Sequence, residues 1–421
     1  MTELLRKFIK EHAEDNPAKL LLNASRYSGV DVKAAVVQIK ARNQVKDKLP
    51  SWHRNEHLFF PSVLAAEQCS SEITALYKQR FVQSGDRLCD LTGGLGVDTY
   101  FFAQKASHVT YVEKKEDYCT AARFNFCQLK ADAVDVIHAD SLELLANRDE
   151  RIADVTVFYA DPARRGDGNS RLFAISDCEP DLTKIIGLLQ PRSKLIVKLS
   201  PMLDVTQVLR QIPNVSEVHV VAIKNDCKEL LTVSVSPSDG DMEQTRQTNP
   251  IILSSDGSIE PSFQTNPIIY CINYAADGTE QQFHFRLSDE RASSVPFAKD
   301  IGRYLYEPNV SILKAGGYKS VALQYNIAKL HTSSHLYTSD YLITPFAGRT
   351  FEITEIIPFS SHICKTLHKT IPQANIAVRN FPLSTAELRQ RTQITDGGHV
   401  YLFATTLSDN QKTLIKCSKP T

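Results

Sequence analysis

Asp90-Leu-Thr-Gly93-Gly94-Leu-Gly96-Val-Asp98 is the stretch that decides how this chain is read. It follows a short apolar run ending in Leu88-Cys89 and precedes an apolar helical stretch, 97–103. Glycines let a chain turn tightly and come close to a ligand with no Cβ in the way. A helix start behind the turn predicts free N–H donors and a dipole worth about 0.3–1 kcal/mol to an anionic group. A strand-to-helix turn without a ligand can have the same sequence, so this stretch alone fixes only the local shape.

The following strand ends extend the pattern. Glu113 ends Val109-Thr-Tyr-Val112, Asp140 sits in His138-Ala-Asp-Ser141, and Asp161-Pro-Ala-Arg164-Arg165 follows Val157-Phe-Tyr-Ala160. Open α/β sheets take ligands at the carboxyl ends of their strands, where a carboxylate can reach ribose hydroxyls. A carboxylate at the third strand end can accept from an adenine amino group. Polar residues at four successive strand ends therefore predict one crevice. Candidate strands are 87–90, 108–112, 134–138, 155–160, 194–198, 217–223 and 229–235, with helices between the first six, which implies a parallel sheet. Lys224-Asn-Asp-Cys-Lys228 is too short for a helical crossover, so the last two strands form a hairpin and the final one runs antiparallel.

Composition bounds the alternatives. With 421 residues, two to four domains are expected. The 42% hydrophobic and 23% charged content fits a globular chain and excludes a mostly disordered one. No apolar run approaches the ~20 residues that span a bilayer, and residues 1–10 read as neither secretory signal nor anchor. Lys and Arg total 48, as do Asp and Glu. That balance excludes a protein that grips nucleic acid over its whole surface but leaves local basic patches open. Nine cysteines are scattered without a Cys-x-x-Cys pair, and the histidines show no His-Glu-x-x-His spacing, so no metal is expected. The thiols read as buried and free, in a reducing cytoplasm.

Four regions are expected: helical 1–66, a sheet domain over 67–237, a linker and further segment over 238–335, and a small α+β region over 336–421. Leu4, Leu5, Phe8 and Ile9 recur at helical spacing, and a second helix is expected over 32–45, ended by Pro50. Residues 33–57 hold six basic and two acidic side chains, either a solvated face or a nucleic-acid contact. Residues 236–266 read as a linker, 267–287 as a hairpin turning at Asp277-Gly278, and 297–335 as short helices and loops. Between 360 and 421 there are eight Lys/Arg and three Asp/Glu, net +5.

Asp90 ahead of Gly-Gly-x-Gly, together with an antiparallel last strand, resembles the class I S-adenosylmethionine-dependent methyltransferases over roughly residues 67–235. The resemblance implies a Rossmann-like seven-stranded sheet. It implies that Asp90, Gly93, Gly94 and Gly96 cradle the methionine end of the cofactor, with Asp90 against its amino group. Glu113 would take the ribose and Asp140 would lie near the adenine, with Leu91, Thr92, Lys114 and Ser141 completing the cofactor-binding set. Ser70, Ser71 and Thr74 would either help hold the methionine carboxylate or cap a helix. A closer resemblance rests on Glu67-Gln-Cys-Ser-Ser-Glu72-Ile-Thr74, Asp161-Pro-Ala-Arg-Arg165, Lys198-Leu-Ser-Pro-Met-Leu-Asp204, Val378-Arg-Asn-Phe-Pro-Leu-Ser-Thr-Ala-Glu-Leu-Arg389 and Asp396-Gly-Gly398. These resemble bacterial methyltransferases with a small ferredoxin-like segment and a C-terminal THUMP-like domain, in the neighbourhood of trimethylguanosine synthase. Because THUMP-related domains usually bind RNA, the resemblance implies an RNA substrate.

Amino-group methyltransferases end the fourth strand in Asp/Asn-Pro-Pro-aromatic. Asp161 and Pro162 match, whereas Ala163 and Arg164 depart. The expected catalytic residues are Asp161, Pro162 and Arg164, the last stacking its guanidinium in place of the aromatic or binding a phosphate. Methylation of uridine carbon-5 would need a cysteine near the end of the fifth strand, where Leu199-Ser-Pro-Met202 stands; Cys178 is the remaining candidate nucleophile. Trp52 and Tyr77 read as packing residues. Three functions follow: a methyltransferase acting on a base in structured RNA, one acting on a protein or small molecule, and a non-catalytic RNA-binding protein with a retained cofactor pocket.

Overall fold

The computed structural model describes residues 1–164, 175–236, 252–253, 259–260 and 266–420. The chain divides into two units, one built on residues 1–216 and the chain from Leu231, the other on Glu217–Leu230 and the chain from Asn266.

In the first unit, side-chain caps set the helix starts. Helix α1 (Glu3–Glu11) is capped by Thr2, α2 (Pro17–Leu22) by Asn16, and α3 (Val32–Val45) by Asp31, which accepts from the Ala34 N–H at 3.0 Å. They bury Phe8, Ile9, Leu20, Val36 and Ile39 against one another. Pro50 does not simply break a helix. It opens a new one, α4 (Pro50–Arg54), at a position where a missing N–H costs nothing. Arg42 and Lys48, two of the basic residues over 33–57, are used internally. Arg42 donates to the carbonyls of Asn55, Glu56 and Leu58, and Lys48 to those of Glu67 and Cys69. Trp52 and Tyr77 are buried, as expected of packing residues.

Helices α5 (Val63–Gln68) and α6 (Glu72–Lys78) lead to the sheet. Strands β1 (Arg87–Asp90), β2 (His108–Glu113), β3 (Val134–His138), β4 (Val157–Ala160) and β5 (Lys194–Leu199) pair in parallel in the order β3-β2-β1-β4-β5. The order reverses direction between β1 and β4, which places a crevice at their carboxyl ends. Helices α7 (Val97–Ala103), α8 (Glu116–Gln128), α9 (Ser141–Ala146), α10 (Leu182–Leu188) and α11 (Val205–Gln211) occupy the connections.

Strands β6 (Val215–Ile223) and β7 (Asp226–Val235) form the expected hairpin, but its turn is only Lys224-Asn225, both with positive φ (52° and 59°). That is the left-handed geometry of a two-residue hairpin turn. β7 lies next to β5, with Ser236 exchanging backbone hydrogen bonds with Arg192 and Ser193. The seven strands expected from the sequence run in the order β3-β2-β1-β4-β5-β7-β6, within a sheet that two further strands extend to nine.

In the second unit, β8 (Ile268–Tyr274) pairs parallel to β6, and β9 (Glu280–Arg286) closes the hairpin expected at Asp277-Gly278. A seven-stranded sheet follows. It comprises β10 (Tyr304–Pro308), β11 (Tyr337–Ser339), β12 (Gly348–Pro358), β13 (Asn375–Arg379), β14 (Tyr401–Thr406), β15 (Lys412–Ser418) and the short edge Ala328–Lys329. The order from that edge is β11-β10-β12-β15-β14-β13. Helices α12 (Leu287–Ala292), α13 (Val310–Ala315), α14 (Tyr318–Tyr325), α15 (Ser361–Thr366) and α16 (Thr385–Thr392) complete the unit, the last opening on a full Ser384/Glu387 capping box. The expected linker over 236–266 lies almost wholly outside the described residues.

Candidate functional site

A cavity of about 480 Å³ opens at the carboxyl ends of β1 to β4, within the first unit. Asp90, Leu91, Thr92, Gly93, Gly94, Gly96, Glu113, Lys114, Asp140, Ser141 and Asp161 all line it. The four strand ends singled out in the sequence therefore converge on one space.

The glycine turn is shaped by its own hydrogen bonds. Asp90 accepts from the Thr92 N–H at 3.0 Å and from the Thr99 hydroxyl at 2.6 Å. The Gly93 N–H donates to the Val112 carbonyl, Gly94 to Glu113 at 3.0 Å and Gly96 to the Gly93 carbonyl. The N–H groups of Thr92, Gly93, Gly94 and Gly96 in the turn thus already have acceptors within the chain, which disfavours their use on a pyrophosphate of the dinucleotide type. The glycines themselves are needed for packing. A Cβ on Gly93 would lie 2.2 Å from the Tyr111 ring, whose hydroxyl donates to the Gly94 carbonyl at 2.7 Å. Gly96 has φ +83° and faces Phe126. We expect Gly93→Ala to lower stability by about 1–3 kcal/mol through overpacking. Adding Tyr111→Leu should recover part of it in thermal unfolding; equal losses in single and double variants would contradict this contact.

Glu113 is held from both sides, Oε2 by the Gly94 N–H and Oε1 by the Lys115 N–H at 2.8 Å. Each oxygen keeps a second lone pair for a ligand hydroxyl. Asp140 caps α9 by accepting from the Leu142 N–H at 2.9 Å and pairs with Lys114 at 3.3 Å. Burial works to raise its carboxyl, but these donors prevail and hold it below its ordinary range. Asp90 is different: burial outweighs its hydroxyl and N–H donors and pushes it up to about 7.

Asp161 sits opposite. Its N–H donates to the Thr92 hydroxyl at 2.7 Å, and its carboxylate pairs with Lys198 at 2.5 Å while staying 34% exposed. Burial raises its carboxyl, and Lys198 opposes that shift. Pro162 is not among the lining residues. Arg164 pairs through its backbone with Cys178; its side chain and Arg165 fall outside the described residues. Cys178 is itself buried, which removes it as an accessible nucleophile.

Behind these groups lies a buried charge network that sequence reasoning missed. Asp98 pairs with the fully buried Lys78 at 3.0 Å and accepts from Ser70 and Tyr159, each at 2.7 Å. Lys78 also donates to Ser70 at 2.9 Å. Ser71 caps α6, while Ser70 faces the cavity. Lys78 stands on a short helix and reads as a surface residue, so nothing local marks it. Lys198 did carry a signal, a charge inside the apolar run Leu195-Ile-Val-Lys-Leu199. Lys78→Met should destabilise the protein by about 3 kcal/mol, because it strands a buried carboxylate. Denaturant titration checks this, and an unchanged midpoint would contradict it.

Among the described residues no group of His, Cys, Asp and Glu could hold a metal ion, and no helix is long and apolar enough to cross a membrane.

A crystal structure of a protein named as a methyltransferase, from Porphyromonas gingivalis W83, is 36% identical to this chain. It covers 99% of this chain and 98% of its own, with a TM-score of 0.83. Residues 304–346 match the ferredoxin-like domain family and 348–419 the THUMP domain-like family. The chain belongs to the methyltransferases with a ferredoxin-like segment and a THUMP-like domain. An rRNA methylase from Streptococcus thermophilus is similar over 39% of this chain and 95% of its own, at 14% identity and a TM-score of 0.29. A Streptococcus mutans protein, named as a methyltransferase and solved with SAH, is similar over 39% of this chain and 96% of its own, at 16% identity and a TM-score of 0.29. No curated protein matches the chain. In this methyltransferase, then, the cavity over β1 to β4 lies in the sheet domain, and the THUMP-like residues lie in the second unit.

Proposed function

We propose that this protein is a cytoplasmic S-adenosylmethionine-dependent methyltransferase that modifies a base in structured RNA. The observation that carries the reading is the convergence of Asp90, Glu113, Asp140 and Asp161 on one nucleoside-sized cavity. The donor set fits the cofactor. Asp90 would take the amino group, Glu113 the ribose hydroxyls, and Asp140 with Ser141 the adenine edge. The charge fits as well: Asp98 and Asp161 face Lys78 and Lys198 and balance them, and Asp90 adds a formal −1 when ionised, against a net +1 on the cofactor. When bound, S-adenosylmethionine supplies an electrophilic methyl group on sulfur.

The remaining work falls to the chain's own residues. Asp161, held by Thr92 and Lys198, presents a carboxylate oxygen at the acceptor side, where it can orient an amino group and take its proton. RNA as substrate is supported by the THUMP domain-like match and by the net +5 over residues 360–421. Tritiated methyl transfer to separated RNA, DNA and protein fractions tests the reading. Label in RNA is expected; label confined to protein would replace it with protein methylation.

A further inference from the structure

Glu307, on β10, is 4% exposed and accepts from two arginines. Arg349, its cross-strand partner on β12, donates through Nε at 2.8 Å and through Nη2. Arg379, on the edge strand β13, donates through Nε at 2.9 Å and places Nη2 at 2.6 Å. Three strands separate β10 from β13 in the sheet order, so this contact requires the sheet to curl and bring its two flanks together. Both arginines stay open to solvent, at 42% and 39%. Lys419 joins them just beyond β15, with Nζ 4.9 Å from the Phe351 ring centre and 5.4 Å from that of Tyr401, while the Arg349 guanidinium lies 5.5 Å from Phe351.

Arg349 and Arg379 thus share one buried carboxylate, and with Lys419 close to Arg349 the four groups carry a formal +2. A structural clamp alone needs no third cation, and like charges gathered this way repel unless an anion joins them. Partial burial lowers the Lys419 ammonium from its ordinary value, and the nearby Arg349 adds a smaller push in the same direction. Glu307 takes the Nε and Nη2 edge of both guanidinium groups and so fixes their planes, and Arg379 also donates through Nη1 to the Val378 carbonyl at 2.8 Å. Arg349 keeps its end-on Nη1 and Nη2 hydrogens for phosphate oxygens, while Arg379 adds charge. The half-buried Tyr401 beside them offers a ring on which a base can rest.

We propose that Arg349, Arg379 and Lys419 form a subsite for the phosphates of an RNA strand. It rests on the RNA reading above and names where the second unit would grip the substrate. The test uses the full chain and two fluorescein-labelled probes, a 20-nucleotide single strand and a stem–loop of equal length, followed by anisotropy between 50 and 200 mM salt. Lys419→Gln and Arg349→Gln should each weaken binding about 3- to 10-fold and lower the slope of log K against log salt by about 0.7–0.9. Calorimetry should show S-adenosylmethionine binding unchanged in both. Lys419 is exposed at a strand end, so its variant reads out the subsite even if the Arg349 variant unfolds. Wild-type affinity and slope in a folded Lys419→Gln would overturn the subsite and leave the RNA reading standing. Wild-type protein that ignores both RNAs but binds polyglutamate would overturn both.

Discussion

Asp161→Asn is expected to abolish methyl transfer while S-adenosylmethionine still binds within about threefold of wild type. The change is isosteric, so the N–H held by Thr92 and the shape of the cavity persist. What disappears is the anionic oxygen that, on the proposed reading, faces the acceptor. Positioned acid–base groups are worth about 10²–10⁴ in rate, and a loss confined to turnover marks an interaction made only in the transition state. Lys198 gives the second readout. Burial raises the Asp161 carboxyl and Lys198 opposes it. In Lys198→Met the carboxyl should need a higher pH to ionise, so the acidic limb of the pH–rate profile moves upward. Unchanged turnover in Asp161→Asn, or an unmoved limb in Lys198→Met, would contradict the assignment.

The second large effect concerns Asp90, whose carboxyl burial pushes up to about 7. An ammonium group beside it favours the ionised form. Affinity for S-adenosylmethionine should therefore fall about tenfold per pH unit below 7 and level off above it, with proton release on binding. Calorimetry in buffers of different ionisation enthalpy measures both. Asp90→Asn should remove the pH dependence and weaken binding about 10- to 150-fold at pH 8, the range of a charge-assisted hydrogen bond. The sign for stability is opposite. A carboxyl with a raised pKa favours the folded state below about pH 4, and that contribution is lost as pH rises to about 7. The ligand-free wild type should therefore be less stable than Asp90→Asn at pH 8.

Much of the sheet domain could be read from the sequence because its signals are local. Short apolar runs, the Gly93–Gly96 turn and the brief join after Ile223 mark strand ends directly. The carboxylates at those ends were legible for the same reason. Reasons that depend on tertiary neighbours were not. Gly93 is glycine because Tyr111 lies over it, and that ring sits on the next strand. Lys78 meets Asp98 only once α6 packs beside α7. Glu307 joins arginines 42 and 72 positions away in sequence. The strand Lys412–Ser418 carries no clear sequence signal, because Lys412-Thr-Leu-Ile-Lys416-Cys-Ser418 lacks a period-two alternation, yet it lies inside the second sheet.

Titration of S-adenosylmethionine into wild type and Asp90→Ala at pH 8 bears most directly on the cavity. The expected result is one site per chain in the wild type, with heat lost or greatly reduced in the variant. No heat in the wild type, or curves that superimpose, would mean that this space holds something else.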